Sequence, residues 1–210
     1  TVRGLVVNNF SYAGIKIDSG DGNTIQGNFI GTDATGMIAV PNGRGTSWDG
    51  IIIGVTTASS NNLIGGAAPA DRNVISGNNG GGVWIELTNG GNKIQGNYIG
   101  VNASGTAALG NVQHGVLLKG VGSEVLNNVI SGNGRGLFYG IHVFPGADGS
   151  IIQGNLIGTD ATGAVPIANA SHNIVIESFN NVVGGTFAGQ GNTIAHSGQS
   201  GVVITNTGVG

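Results

Sequence analysis

The feature that most constrains this chain of 210 residues is that it repeats itself. The block Gly-Val-Trp-Ile at 82–85 recurs as GIKI (14–17), GIII (50–53), GVLL (115–118), GIHV (140–143), NIVI (173–176) and GVVI (201–204). NKIQGNYIG (92–100) recurs as NTIQGNFIG (23–31) and SIIQGNLIG (150–158), and a shorter NVISGN stands at 73–78 and 128–133. Successive GIxI blocks begin 36, 32, 33, 25, 33 and 28 residues apart. Self-similarity on that scale means stacked units, each covering the apolar face its neighbour leaves open.

Helical solenoids share such periods, but each block here alternates apolar and variable residues over four to six positions, which is strand periodicity. Glycine supplies 43 of the 210 residues. In a chain with abundant Ile and Val and a mean hydropathy of +0.18, those glycines mark turns between short buried strands rather than disorder. The blocks align two aliphatic columns: Ile15, Ile51, Val83, Val116, Ile141, Ile174, Val202, and Ile17, Ile53, Ile85, Leu118, Val143, Ile176, Ile204. Stacked in parallel register, they form one wall of a dry interior, with the other walls supplied through Ile25, Ile75, Ile94, Ile152 and Ile194. The expected fold is all-β, a parallel β-helix of six to seven coils in one domain over 1–210, with six full coils spanning roughly 30 Å. Asn28, Asn78, Asn97, Asn133 and Asn155 each follow a Gly and read as one stacked amide ladder. The opening TVRGLVVNNF already has the strand pattern, and the end follows closely on GVVI, so the chain reads as a piece of something longer.

A second repetition spans two coils. IGTDATG (30–36), IGVNASG (99–105) and IGTDATG (157–163) each lead into an insertion, with Val40, Leu109 and Ile167, then Asn42, Asn111 and Asn169, at equivalent places. Asp33 and Asp160 with their neighbouring threonines suggest a cation site. One carboxylate per loop is too few for a calcium cage, however, and the middle copy carries Asn102; turn capping is the favoured reading. The nine-residue period of calcium-binding β-helix repeats is missing, and no cofactor is expected, with calcium the one ion left open as an alternative.

Charged residues make up 8% of the chain and the net charge is −3, so nucleic acid is not an expected partner. Without cysteine there are no disulfides or thiolate metal sites. Membrane insertion is not expected either, since no apolar run is long enough. The sequons at Asn9, Asn102 and Asn169 matter only in a host that glycosylates them.

Over nearly its whole length, through the GIxI, NxIxGNxIGTDxTG and NxISGN blocks, the chain resembles the right-handed parallel β-helix repeats of bacterial secreted and cell-surface proteins in the pectin-lyase-like superfamily. The right hand and the exported location are implied by that resemblance, not by the periodicity. The superfamily includes lyases, hydrolases, epimerases, adhesins and inert stalks, so it does not choose an activity. Its pectate lyases carry clustered carboxylates for calcium; no such set is present here. Its polygalacturonases carry a Gly-His-Gly that Gln113-His114-Gly115 fits poorly. Its mannuronan epimerases share Tyr-Gly with Tyr139-Gly140, but the catalytic Asp of their string has no counterpart in Ile141-His142-Val143-Phe144-Pro145.

The middle position of each GIxI block should point outward: Lys16, Ile52, Trp84, Leu117, His142, Val175 and Val203. So apolar a column needs a cover, and the insertion loops are the nearest candidates. Asp49, His114, Tyr139 and His172 stand just before the strands; Asp18, Glu86, Lys119, Phe144, Glu177 and Thr205 stand just after. Trp84, Glu86, Lys119, Tyr139 and His142 are the candidate carbohydrate contacts. His114, Tyr139, His142, His172 and Glu177 are the candidates for acid–base chemistry. Two functions follow: a rigid rod or adhesin-like stalk contacting glycan through one lateral face, or a polysaccharide lyase, hydrolase or epimerase with its groove on coils three to six. A third expectation is end-to-end self-association, unless a distortion at Thr1 or Gly210 blocks the exposed ends.

Overall fold

The structure, a computed structural model, describes residues 1–45 and 48–205. Gly210, one of the two ends expected to block stacking, lies outside them. The chain winds as a right-handed parallel β-helix of seven coils, with three parallel sheets of seven strands. The third sheet is made of the GIxI blocks, in the register expected: Ile15 pairs with Ile51, Ile51 with Val83, Val83 with Val116, and so on to Val202. Both aliphatic columns point inward. Ile51, Ile53, Ile85, Val116, Leu118, Ile141 and Ile174 are fully buried, each side chain contributing about 1.5–3 kcal/mol by leaving water.

The remaining walls divide as the sequence did not show. Ile25, Ile94 and Ile152 belong to the first sheet with Ile64 and Val125, whereas Ile75 and Ile194 belong to the second with Ile30, Ile99 and Ile157. The asparagines divide too. One ladder, between the first and second sheets, runs Asn28, Asn73, Asn97, Asn128, Asn155, Asn192, each Nδ2 donating to the next Oδ1 at 2.9–3.1 Å. A second, between the second and third sheets, runs Asn42, Asn78, Asn111, Asn133, Asn169. The single expected row was therefore a blend of two. At a third corner Asn23, Asn62 and Asn92 stack, and the row breaks at Ser123. The second ladder ends where the GIxI block loses its glycine: Asn169 Nδ2 donates to Oδ1 of Asn173 at 2.8 Å, within its own coil.

That glycine is needed for space. At Gly50, whose φ is not in the left-handed region, a β-carbon would stand 2.8 Å from Asn78 Nδ2 and 2.9 Å from the next coil's Gly82 O. The sequence therefore spends glycine where coils touch and asparagine where they turn.

The three insertions begin hairpins, bridged Thr32–Ala39, Val101–Ala108 and Thr159–Pro166. They stack on one another across two coils, through Ala103 N–H to Gly36 O and Ala161 N–H to Gly105 O, both 2.9 Å. Asp33, Asn102 and Asp160 cap their turns as expected, each accepting from the hydroxyl two residues on and from two backbone N–H groups. The Thr35 hydroxyl holds Asp33 below the usual carboxylate range, and the Val165 N–H does the same for Asp160. The hairpins cover the second sheet: Val101 and Ile167 pack with Tyr98, Val129 and Leu156. Among the described residues their apolar packing is on the second sheet, not on the outer column of the third, where the sequence had suggested it.

Candidate functional site

Because the third sheet keeps its register, Trp84, Leu117, His142 and Val175 stand on consecutive rungs of its outer face. Coils three to six thus bring all eight residues singled out from the sequence into one strip. His114, just before its strand, accepts the Tyr139 N–H at Nδ1 at 3.1 Å; His172 does the same for the Ser200 N–H at 3.1 Å. Both neutral imidazoles therefore carry their proton on Nε2. The rings lie in contact: His114 with Tyr139 at 5.1 Å between centroids, Tyr139 with His172 at 5.4 Å, and His142 with His114 at 4.9 Å and Phe144 at 5.2 Å. Below them, Lys119 Nζ pairs with Glu86 at 3.2 Å and stands 4.6 Å over the Trp84 ring and 5.3 Å from that of Phe144.

Burial sets the protonation. Desolvation pushes His114 down to about 3, with the neighbouring His142 acting in the same direction. Burial also lowers His142, against the opposing pull of Glu177. At neutral pH the 3.0 Å contact is thus a hydrogen bond from neutral His142 Nε2–H to a Glu177 carboxylate oxygen. The other nitrogen, Nδ1, is buried without a partner among the described residues. His142 is 7% exposed, so it braces the strip rather than lining its surface.

Two contributors were not selected from the sequence. Phe138 meets His114 edge-on at 5.0 Å. Asp49 is 4% exposed and accepts the Gly81 N–H at 2.6 Å through Oδ1, while Oδ2 has no partner among the described residues. Burial raises its carboxyl to about 7. The available signal was Gly81 itself, the position without a side chain between Asp49 and His114 in the column before the strands. A β-carbon there would meet Asp49 Oδ1 at 2.5 Å and His114 O at 2.7 Å.

Among the described residues no group of three or more His, Asp or Glu could hold a metal ion, and no helix is long and apolar enough to cross a membrane. No protein-family model matches the chain, and comparison with curated proteins and with solved structures found no match.

Proposed function

We propose that this chain is a rigid β-helical segment of a secreted or surface-displayed protein of the pectin-lyase-like kind, contacting carbohydrate through the third-sheet strip. The observation that carries the reading is the continuous run of rings and fixed charges along one flank of a rod whose coils are otherwise alike. Tyr139 and Phe144 offer ring surface, Lys119 and Glu86 offer paired charge, and neutral His114 and His172 keep Nε2–H donors. Sugars are held by such mixtures of ring face and directional polar groups. Affinity electrophoresis against a glycan panel tests it: retardation by at least one polysaccharide, reduced in Trp84→Ala and Tyr139→Phe, is expected. Unretarded migration across neutral and acidic glycans contradicts it.

The hydrogen-bonded His142–Glu177 pair favours a second reading, cleavage or epimerisation of a polysaccharide. New reducing ends or unsaturated products from uronans, lost in His142→Ala, would support that reading. End-to-end self-association belongs to the first reading, through apolar columns such as Ile204, 75% exposed. Sedimentation that stays monomeric as concentration rises counts against it.

A further inference from the structure

Away from the ring strip, the segment after the first-sheet strand Leu63–Gly65 leaves the coil, and Pro69–Asp71 makes a single 3-10 turn. It closes a cavity of about 200 Å³ with Arg72, Gln95 and Asn127 among its lining side chains. Arg72 is fixed in two ways: its Nε–H donates to Gly96 O at 3.2 Å, and its guanidinium lies 4.1 Å from the Tyr98 ring centroid. The two terminal amino groups have no hydrogen bond or ion pair among the described residues. The acid beside it in sequence, Asp71, pairs instead with Arg3 at 3.1 Å.

Gln95 is the odd member of its column. Gln26 and Gln153, at the same place in other coils, donate Nε2 to Gly65 O at 3.0 Å and Gly184 O at 2.8 Å. Beside Gln95 stands Leu126, whose carbonyl already accepts the Gly96 N–H at 3.0 Å. The Gln95 carboxamide accordingly has no partner among the described residues. Asn127, with φ 54°, lays Oδ1 where a β-carbon on Gly154 would have to stand.

We propose that this pocket binds a small carboxylate, taken by the two terminal amino groups of Arg72 and by the free amides of Gln95 and Asn127. A guanidinium presents parallel N–H groups that match the two oxygens of a carboxylate, and one already fixed by Tyr98 and Gly96 loses little freedom on binding. One cation with two neutral amides balances a single negative charge, whereas a dianion would leave the second uncompensated. The site is separate from the ring strip and stands whether or not that strip binds glycan.

The test is a titration of 15N-labelled protein with sodium acetate, against sodium chloride at equal ionic strength. Saturable shifts of the Arg72 Nε–H and Gln95 carboxamide signals are expected. R72Q should weaken binding about tenfold or more by losing the charge-assisted fork, and Q95A about threefold by losing one neutral donor. K93Q removes a cation from the same sheet outside the pocket and leaves affinity unchanged. If R72Q fails to fold, Q95A and the wild-type titration still decide. A wild-type titration without saturation, undiminished affinity in folded R72Q or in Q95A, or tighter binding of phosphate than of acetate overturns the proposal.

Discussion

The flank covered by hairpins and the flank carrying rings are built from the same coils, yet they manage polar groups in opposite ways. On the second sheet two of the three insertions share one solution. Ser76 and Ser131 each accept the N–H of the glycine that opens a hairpin and donate to a carbonyl just beyond it, at 2.7–3.0 Å. At the first insertion Asn8 Nδ2 donates to the corresponding carbonyl, Thr32 O, at 2.8 Å. On the third sheet and its margins, Asp49 Oδ2, Trp84 Nε1 and His142 Nδ1 are buried without partners among the described residues. A buried polar atom left unpaired costs about 1–3 kcal/mol. The repeated flank therefore stabilises the rod, and the irregular flank carries cost that rod-building does not require. The candidate site stands where the repeat departs from itself, as expected if function is added to a scaffold at some cost to it.

Removing a ladder amide should break the regular side outright. Asn97 is fully buried, accepts from Asn73, and donates to Ile64 O and Asn128 Oδ1. Asn97→Ala orphans these groups, and a loss of about 3–5 kcal/mol, read by urea unfolding, is expected.

The next effect is a pH dependence hidden by cancellation. Asp49 rises from 3.8 to about 7 on folding, so the native state holds a proton the unfolded state has released, and stability falls as pH rises across that window. His114 drops from 6.5 to about 3, so the unfolded state binds the proton and stability falls as pH falls through that range. The lowered His142 adds to the second trend. Asp49→Asn should leave stability climbing with pH through the acid range. His114→Asn should leave it declining towards neutrality. Each titrating group contributes at most about 1.4 kcal/mol per pH unit to these slopes. Parallel pH profiles for both variants would show that burial does not set these two groups.

Smaller effects separate the flanks more finely. Asp160→Ala, which uncaps one hairpin, should cost about 1 kcal/mol, whereas Asp160→Asn, the residue type the middle hairpin carries at Asn102, should cost less than about half of that. Trp84→Phe deletes an unpartnered N–H and should change thermal stability by less than about 1 kcal/mol. A large loss there would show that the indole nitrogen is paired after all.

The third sheet was fully legible because GIxI fixes both register and facing. The two other walls were blended for a physical reason. Asn23, Asn28, Asn73 and Asn78 each solve the same turn, an amide stacked under its neighbour with Gly nearby. NVISGN therefore reads like NTIQGN although it occupies the next corner. The strip followed from register, so Trp84 to Glu177 could be placed from sequence. The burial of Asp49 could not, because it depends on the missing side chain of Gly81 one coil away. The Arg72 pocket was equally hidden, since it rests on which glutamine lacks an acceptor.

The central claim, that each GIxI block lies directly over the one before, is open to one direct measurement. The chain has no cysteine, so nitroxides at Lys16→Cys and Val203→Cys report a single distance across the outer column of the third sheet. Six parallel rungs separate them, and a narrow distribution centred at about 30 Å by double electron–electron resonance is expected. A broad distribution, or a separation below about 20 Å, would contradict the stack and the strip built on it.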